Sequence, residues 1–170
     1  MEQMPALYDA IQEAGADFGL VDFGARAVDS MRIEKGYRGI GADLTNEITP
    51  VEAGLDRFVP MAKEGFVGRE ALLRIQEQGV DQTLVYLDVE ARDADCRGGE
   101  PLFAQGRVVG VTSSGAYGHR TGRSLALAYV DPAHAEVGGS IEVEILEDRC
   151  RATILENEPV YDPANDRLRA

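Results

Sequence analysis

Between Ser30 and Leu44 a helix end crowded with long polar side chains opens onto glycines: Ser30-Met31-Arg32-Ile33-Glu34-Lys35-Gly36-Tyr37-Arg38-Gly39, then Ile40-Gly41-Ala42-Asp43-Leu44. Arg32, Lys35 and Arg38 supply cations, and an arginine fork grips a carboxylate or phosphate at two points. Tyr37 adds an aromatic face, and the glycines let backbone approach closely. Such a set suits an anionic, planar ligand. The plain alternative is a solvated helix end whose cations face the negative end of the helix dipole. Each residue carries the same choice. Arg32 serves a ligand or pairs with Glu34 or with Asp29, three residues back. Glu34 serves a ligand or holds a backbone group, and Tyr37 stacks on a ligand or packs in the core. Downstream, Ile48-Thr49-Pro50-Val51-Glu52-Ala53-Gly54-Leu55 leads to Arg57, which grips a carboxylate or faces solvent.

Other reactive side chains stand apart. Tyr117 ends the run Thr112-Ser113-Ser114-Gly115-Ala116, which reads as a polar, small-residue turn between two strands, with His119 in the same loop. His119 has no partner at triad or ligand spacing and reads as solvated. Cys96 and Cys150 make no metal-ligand spacing with His119 and His134, so no metal site is expected. They read as free thiols, which points to a reducing compartment, bacterial cytoplasm or mitochondrial matrix. Residues 1–15 have neither the basic start nor the long apolar core of a secretory leader. A net charge of -13 over 170 residues argues against a nucleic-acid surface. No apolar run approaches the roughly 20 residues of a membrane helix.

Two kinds of element must position these groups. Residues 5–15 suit a short helix with Leu7, Ile11 and Ala14 at helical spacing. A second helix fits Ala25–Lys35, with the stripe Ala27, Val28 and Met31 and Gly36 as its stop, and a third fits Arg69–Gln78. Gly39–Leu55 reads as turns joined by short strands. From Gln82 the period drops to 2: Val85, Leu87 and Val89 alternate with Tyr86 and Asp88, and Ile141, Val143 and Ile145 with Glu142 and Glu144. Further strands fit Pro101–Ala104, Arg107–Ser113, Ser124–Val130 and Arg149–Leu155, with Gln105-Gly106 as a two-residue hairpin turn. The fold class is α+β: a six-stranded antiparallel, Greek-key-like β-barrel preceded by a helical segment. Residues 1–64 are too poor in large apolar groups for a core of their own, 65–81 form a linker helix, and 82–170 form the barrel.

The motifs in this order resemble one family. Arg32 to Arg38, with Thr49 to Leu55, is similar to the LRLEKGYR…TPLEAGL segment of the folate-binding aminomethyltransferases. That family includes the glycine cleavage T-protein and the C-terminal halves of dimethylglycine and sarcosine dehydrogenases. Gly65-Phe66-Val67-Gly68-Arg69-Glu70-Ala71-Leu72 resembles the family's linker. Gly99-Glu100-Pro101-Leu102, Val109 to Tyr117 and Leu125 to Val130 follow in its order. The wording from Val109 to Val130 is more similar to the dehydrogenases than to the T-protein.

That resemblance implies a C-terminal fragment of a tetrahydrofolate-dependent one-carbon (aminomethyl) transferase, with residues 1–64 as the end of its folate-binding domain. It implies tetrahydrofolate as cofactor, with FAD in an upstream domain. Partners implied are the folate, an amine substrate and upstream domains of the same enzyme, with neither nucleic acid nor membrane. Arg32, Glu34, Tyr37, Arg57 and Tyr117 are the implied cofactor contacts. No catalytic residue is carried, because the family's GYE glutamate and a further acid precede this segment, and the fragment alone is expected to be inactive. Arg57 departs from the tyrosine that the dehydrogenases often place there. Two rival readings remain open: a stand-alone T-protein or folate-dependent demethylase fragment, and a non-catalytic barrel that docks on neighbouring domains.

Overall fold

The structure, a computed structural model, describes residues 3–169. Three helices come first: α1 (Met4–Gly15), α2 (Ala25–Glu34) and α3 (Arg69–Gln78). Six strands follow: β1 (Thr83–Val89), β2 (Pro101–Ala104), β3 (Arg107–Gly118), β4 (Arg123–Val130), β5 (Ser140–Ile145) and β6 (Asp148–Leu155). Pro5 stands in the first turn of α1, where its missing N–H is no loss. Gly36 stops α2 by taking a φ of 61°, open to glycine at little cost.

The strands close into a barrel in the order β1-β4-β3-β2-β5-β6, every pair antiparallel, and β1 closes the ring against both β4 and β6. Period-2 alternation fills it. Val85, Leu87 and Val89 share one cluster with Ala126, Ala128, Val130, Ile141, Val143 and Ile145. The opposite face of β1 and β4 is buried as well: Leu84, Tyr86, Leu125, Leu127 and Tyr129 pack with Ile33 of α2. Hence β1 and β4 are apolar on both faces, and the segment carrying α2 forms a second layer on the barrel. Two phenols pin it. Tyr86 donates to the Ile33 carbonyl at 2.6 Å and Tyr129 to the Asp43 carbonyl at 2.7 Å.

Two local expectations need correction. Gly39–Leu55 is a series of turns with one isolated bridge, Ile40 to Leu44, rather than short strands, because the Asp43 side chain holds the first turn through the Gly39 N–H and the Glu52 side chain holds a later one through Thr49. Strand β3 runs on through Gly118, so Tyr117 lies in a strand opposite Ser124 and not in a turn. A bulge between Thr112 and Ser114 absorbs the register change. The small residues of this stretch serve close packing: a Cβ on Gly115 would sit 2.7 Å from Cys96 Cβ.

Cys96 and Cys150 are free and buried, and burial pushes the Cys96 thiol up to about 12. The thiolate is the reactive form. A disulfide reagent such as DTNB at neutral pH should therefore modify neither cysteine in the folded protein and both in guanidinium chloride. Rapid modification of either in the native state would refute this packing.

Candidate functional site

The best-satisfied buried charge belongs to Asp43, whose side chain is wholly shielded from water. It comes from the glycine-rich turn after α2, where the Gly39 N–H donates to its Oδ2 at 2.6 Å. The β3 bulge turns two successive serines toward it. Ser113 and Ser114 donate their hydroxyls to Oδ1 at 2.5 and 2.6 Å. Arg32 donates Nη1 to Oδ2 at 3.2 Å, and the same Nη1 reaches the Tyr37 carbonyl and the Ser114 hydroxyl. Its Nε pairs with Asp29 at 3.0 Å. Removing a carboxylate from water is costly unless donors satisfy its oxygens, and Gly39, Ser113, Ser114 and Arg32 do so here. Arg32 thus ties α2 to the turn and the turn to the barrel.

Glu34 also faces inward. Its Oε1 accepts from the Arg120 and Thr121 N–H groups at 2.8 and 2.7 Å and from the Thr121 hydroxyl at 3.0 Å. It fixes the turn joining β3 to β4. One helical turn earlier, Ser30 donates its hydroxyl to the Tyr117 carbonyl at 2.7 Å. The Tyr117 and His119 rings meet edge to face, centroids 5.2 Å apart. With Arg26, Asp29, Asp95 and Arg97 they line a cleft of about 180 Å³ between α2 and β3. An aromatic pair, two guanidiniums and two carboxylates make a wall for a flat ligand that carries both N–H donors and negative charge.

The sequence candidates therefore separate. Tyr117 lines the cleft, Arg32 reaches it through Asp29, and Glu34 sits behind it on the hairpin turn. Tyr37 and Arg57 lie past the other end of α2, in a second cavity of about 310 Å³ shared with Lys35, Arg38 and Asn157. Sequence reasoning gave Asp43 no role of its own. Its signal is a lone acid bracketed by glycines beside a basic helix end. Its serine partners lie 70 and 71 residues away, beyond any local pattern.

Comparison with known proteins matches this architecture. Residues 82–162 match the glycine cleavage T-protein C-terminal barrel domain and residues 1–63 the GCVT N-terminal domain. Mitochondrial dimethylglycine dehydrogenase of Mus musculus is 40% identical over 98% of this chain, which spans 19% of that enzyme. An aminomethyltransferase of Streptomyces avermitilis is 43% identical over 78% of this chain and 36% of its own length. The crystal structure of glycine cleavage system aminomethyltransferase T from Bartonella henselae superposes with a TM-score of 0.82 at 27% identity, covering 94% of this chain and 44% of that one. In sequence motifs, barrel topology and helical layer alike, the chain belongs to the family of the glycine cleavage T-protein and dimethylglycine dehydrogenase.

Proposed function

We propose that this chain forms one wall of a tetrahydrofolate site in a one-carbon (aminomethyl) transferase, most like the corresponding part of dimethylglycine or sarcosine dehydrogenase. The cleft between α2 and β3 carries the reading, because Asp29, paired with the Arg32 of the family motif, and Ser30, just before that motif, build it together with Tyr117. Its residues fit a folate in kind: an aromatic pair for a ring, guanidiniums for negative charge and Asp29 for a ring N–H. Its 180 Å³ falls below the roughly 300 Å³ at which ligand pockets begin. A second wall is therefore required. Leu7, Ile11, Phe18, Phe23 and Val28 stay exposed, Phe18 at 89%, an apolar surface that suits an upstream domain of the same enzyme.

Bound tetrahydrofolate supplies N5 and N10, which take up the one-carbon unit; this chain supplies position. Arg32, clamped by Asp43, holds Asp29 in one orientation at the cleft. Tyr117 and His119 would offer the ring one aromatic wall, and Arg26 and Arg97 would draw the anion in. An FAD domain and a small N-methyl amine substrate belong to the same reading, as does a bacterial cytoplasmic or mitochondrial location. No helix among the described residues is long and apolar enough to cross a membrane.

Equilibrium dialysis of tetrahydrofolate against the protein as its gene encodes it tests the cleft. Tyr117→Ala should weaken binding by about 0.5–1.5 kcal/mol, the range of an aromatic contact. The fold should survive, since Tyr117 is already half exposed. Unchanged affinity in both Tyr117→Ala and Arg97→Ala would remove the ligand from this cleft.

A further inference from the structure

Arg97 reaches the α2–β3 cleft from the loop that joins β1 to β2, and that loop is fixed on both sides of it. On one side Cys96 is wholly buried against Gly115 of β3. On the other, Gly98 takes a φ of 111° and passes so close to β3 that a Cβ on it would collide with the Ser113 carbonyl oxygen. Main-chain bonds then lead into the barrel. The Gly99 N–H donates to the Thr112 carbonyl at 2.8 Å, and the Thr112 N–H to the Glu100 carbonyl at 2.9 Å.

The Glu100 side chain closes the loop. Its Oε1 accepts from the Arg97 N–H at 2.8 Å, and its Oε2 accepts from the Gly98 N–H at 2.9 Å and from the Thr112 hydroxyl. The Glu100 N–H in turn donates to Thr112 Oγ1 at 2.9 Å. Burial pushes the Glu100 carboxyl up, but the bonds from Thr112, Arg97 and Gly98 outweigh it and hold the group below the usual carboxylate range. A charged acceptor on a residue's backbone N–H fixes the direction from which its side chain departs. Arg97 departs toward the cleft, where Asp29 and Asp95 also stand. Asp29 is taken by Arg32 at 3.0 Å, and among the described residues the Arg97 guanidinium forms no ion pair.

We propose that Glu100 is a positioning residue of this cleft: its carboxylate holds the Arg97 backbone so that the guanidinium meets the negative charge of the ligand already ordered. The inference rests on the tetrahydrofolate reading and adds to it a residue that itself lines no part of the cleft. Cys96 and the Thr112 main chain anchor the two ends of the loop without Glu100. Only the Glu100 carboxylate accepts from the Arg97 N–H between them.

The test is calorimetric titration of tetrahydrofolate into the protein as its gene encodes it, as wild type, Glu100→Ala, Arg97→Ala and the double variant. Glu100→Ala should weaken binding roughly three- to tenfold, the cost of ordering one long side chain on binding. In the Arg97→Ala background the same substitution should change little, because Glu100 acts through Arg97. Glu100→Gln keeps a carbonyl acceptor and should recover part of the affinity. The fold should survive Glu100→Ala, since Glu100 is half-buried and its main-chain bonds to Thr112 remain. Should that variant not fold, Glu100→Asp, one methylene short of the two N–H groups, takes its place in the cycle with the same expectation. An equal loss in both backgrounds is the mark of a merely structural role and would overturn the proposal. So would tetrahydrofolate binding at wild-type affinity in Glu100→Ala or in Arg97→Ala. Wild type that binds no tetrahydrofolate would refute the folate reading and this role with it, whereas binding that ignores Glu100 refutes the role alone.

Discussion

Asp43→Ala should destabilise the protein by about 3–5 kcal/mol, the loss expected when one partner of a buried ion pair is removed. The side chain has no exposure to water and accepts from Gly39, Ser113, Ser114 and Arg32. Alanine takes an acceptor from two hydroxyls, one N–H and a guanidinium, of which the Ser113 hydroxyl keeps the Leu127 carbonyl at 3.2 Å. The value should fall toward the lower end, because the Arg32 side chain keeps 18% exposure and its pairing with Asp29. Asp43→Asn should cost less, since its carbonyl oxygen still accepts from the serines. Urea unfolding with an unchanged m-value measures both. A change under about 1 kcal/mol for Asp43→Ala would show that this carboxylate organises nothing.

Glu34→Ala should lower stability by about 2–4 kcal/mol, because three donors to one charged acceptor lose it together. The loss should be local first. Arg120 and Thr121 donate their backbone N–H groups to Glu34, so their amide exchange should quicken ahead of the barrel strands. Glu34→Gln should recover part of the protection through its remaining carbonyl oxygen. Unchanged exchange at Arg120 and Thr121 in Glu34→Ala would free this carboxylate from the turn and return it to the ligand.

The barrel was legible because β5 alternates cleanly and turn residues punctuate the other strands. Ile141, Val143 and Ile145 against Glu142 and Glu144 give β5 directly, and Gln105-Gly106 gives the β2–β3 hairpin. Helix α3 is also written locally, bounded by Gly68 and Gly79. What stayed hidden depends on distant contacts. Tyr86 alternates as an outward residue, yet Ile33 covers it. The run Ser113-Ser114-Gly115-Ala116 has turn composition, but its small side chains let a strand pass between Asp43 and Cys96. The site divided for the same reason. Arg32 and Tyr37 are neighbours in sequence, but the Gly36 turn sends Tyr37 to one cavity while Asp29 leads Arg32 toward the other.

The folate assignment stands or falls on one titration. Tetrahydrofolate added to the protein as its gene encodes it, followed by calorimetry, should give saturable binding at one equivalent per chain. Affinity should drop in Tyr117→Ala, in keeping with a ligand seated against the α2–β3 cleft. A folded wild-type protein that shows no saturable heat up to millimolar tetrahydrofolate would rule the assignment out and leave this chain as a docking barrel.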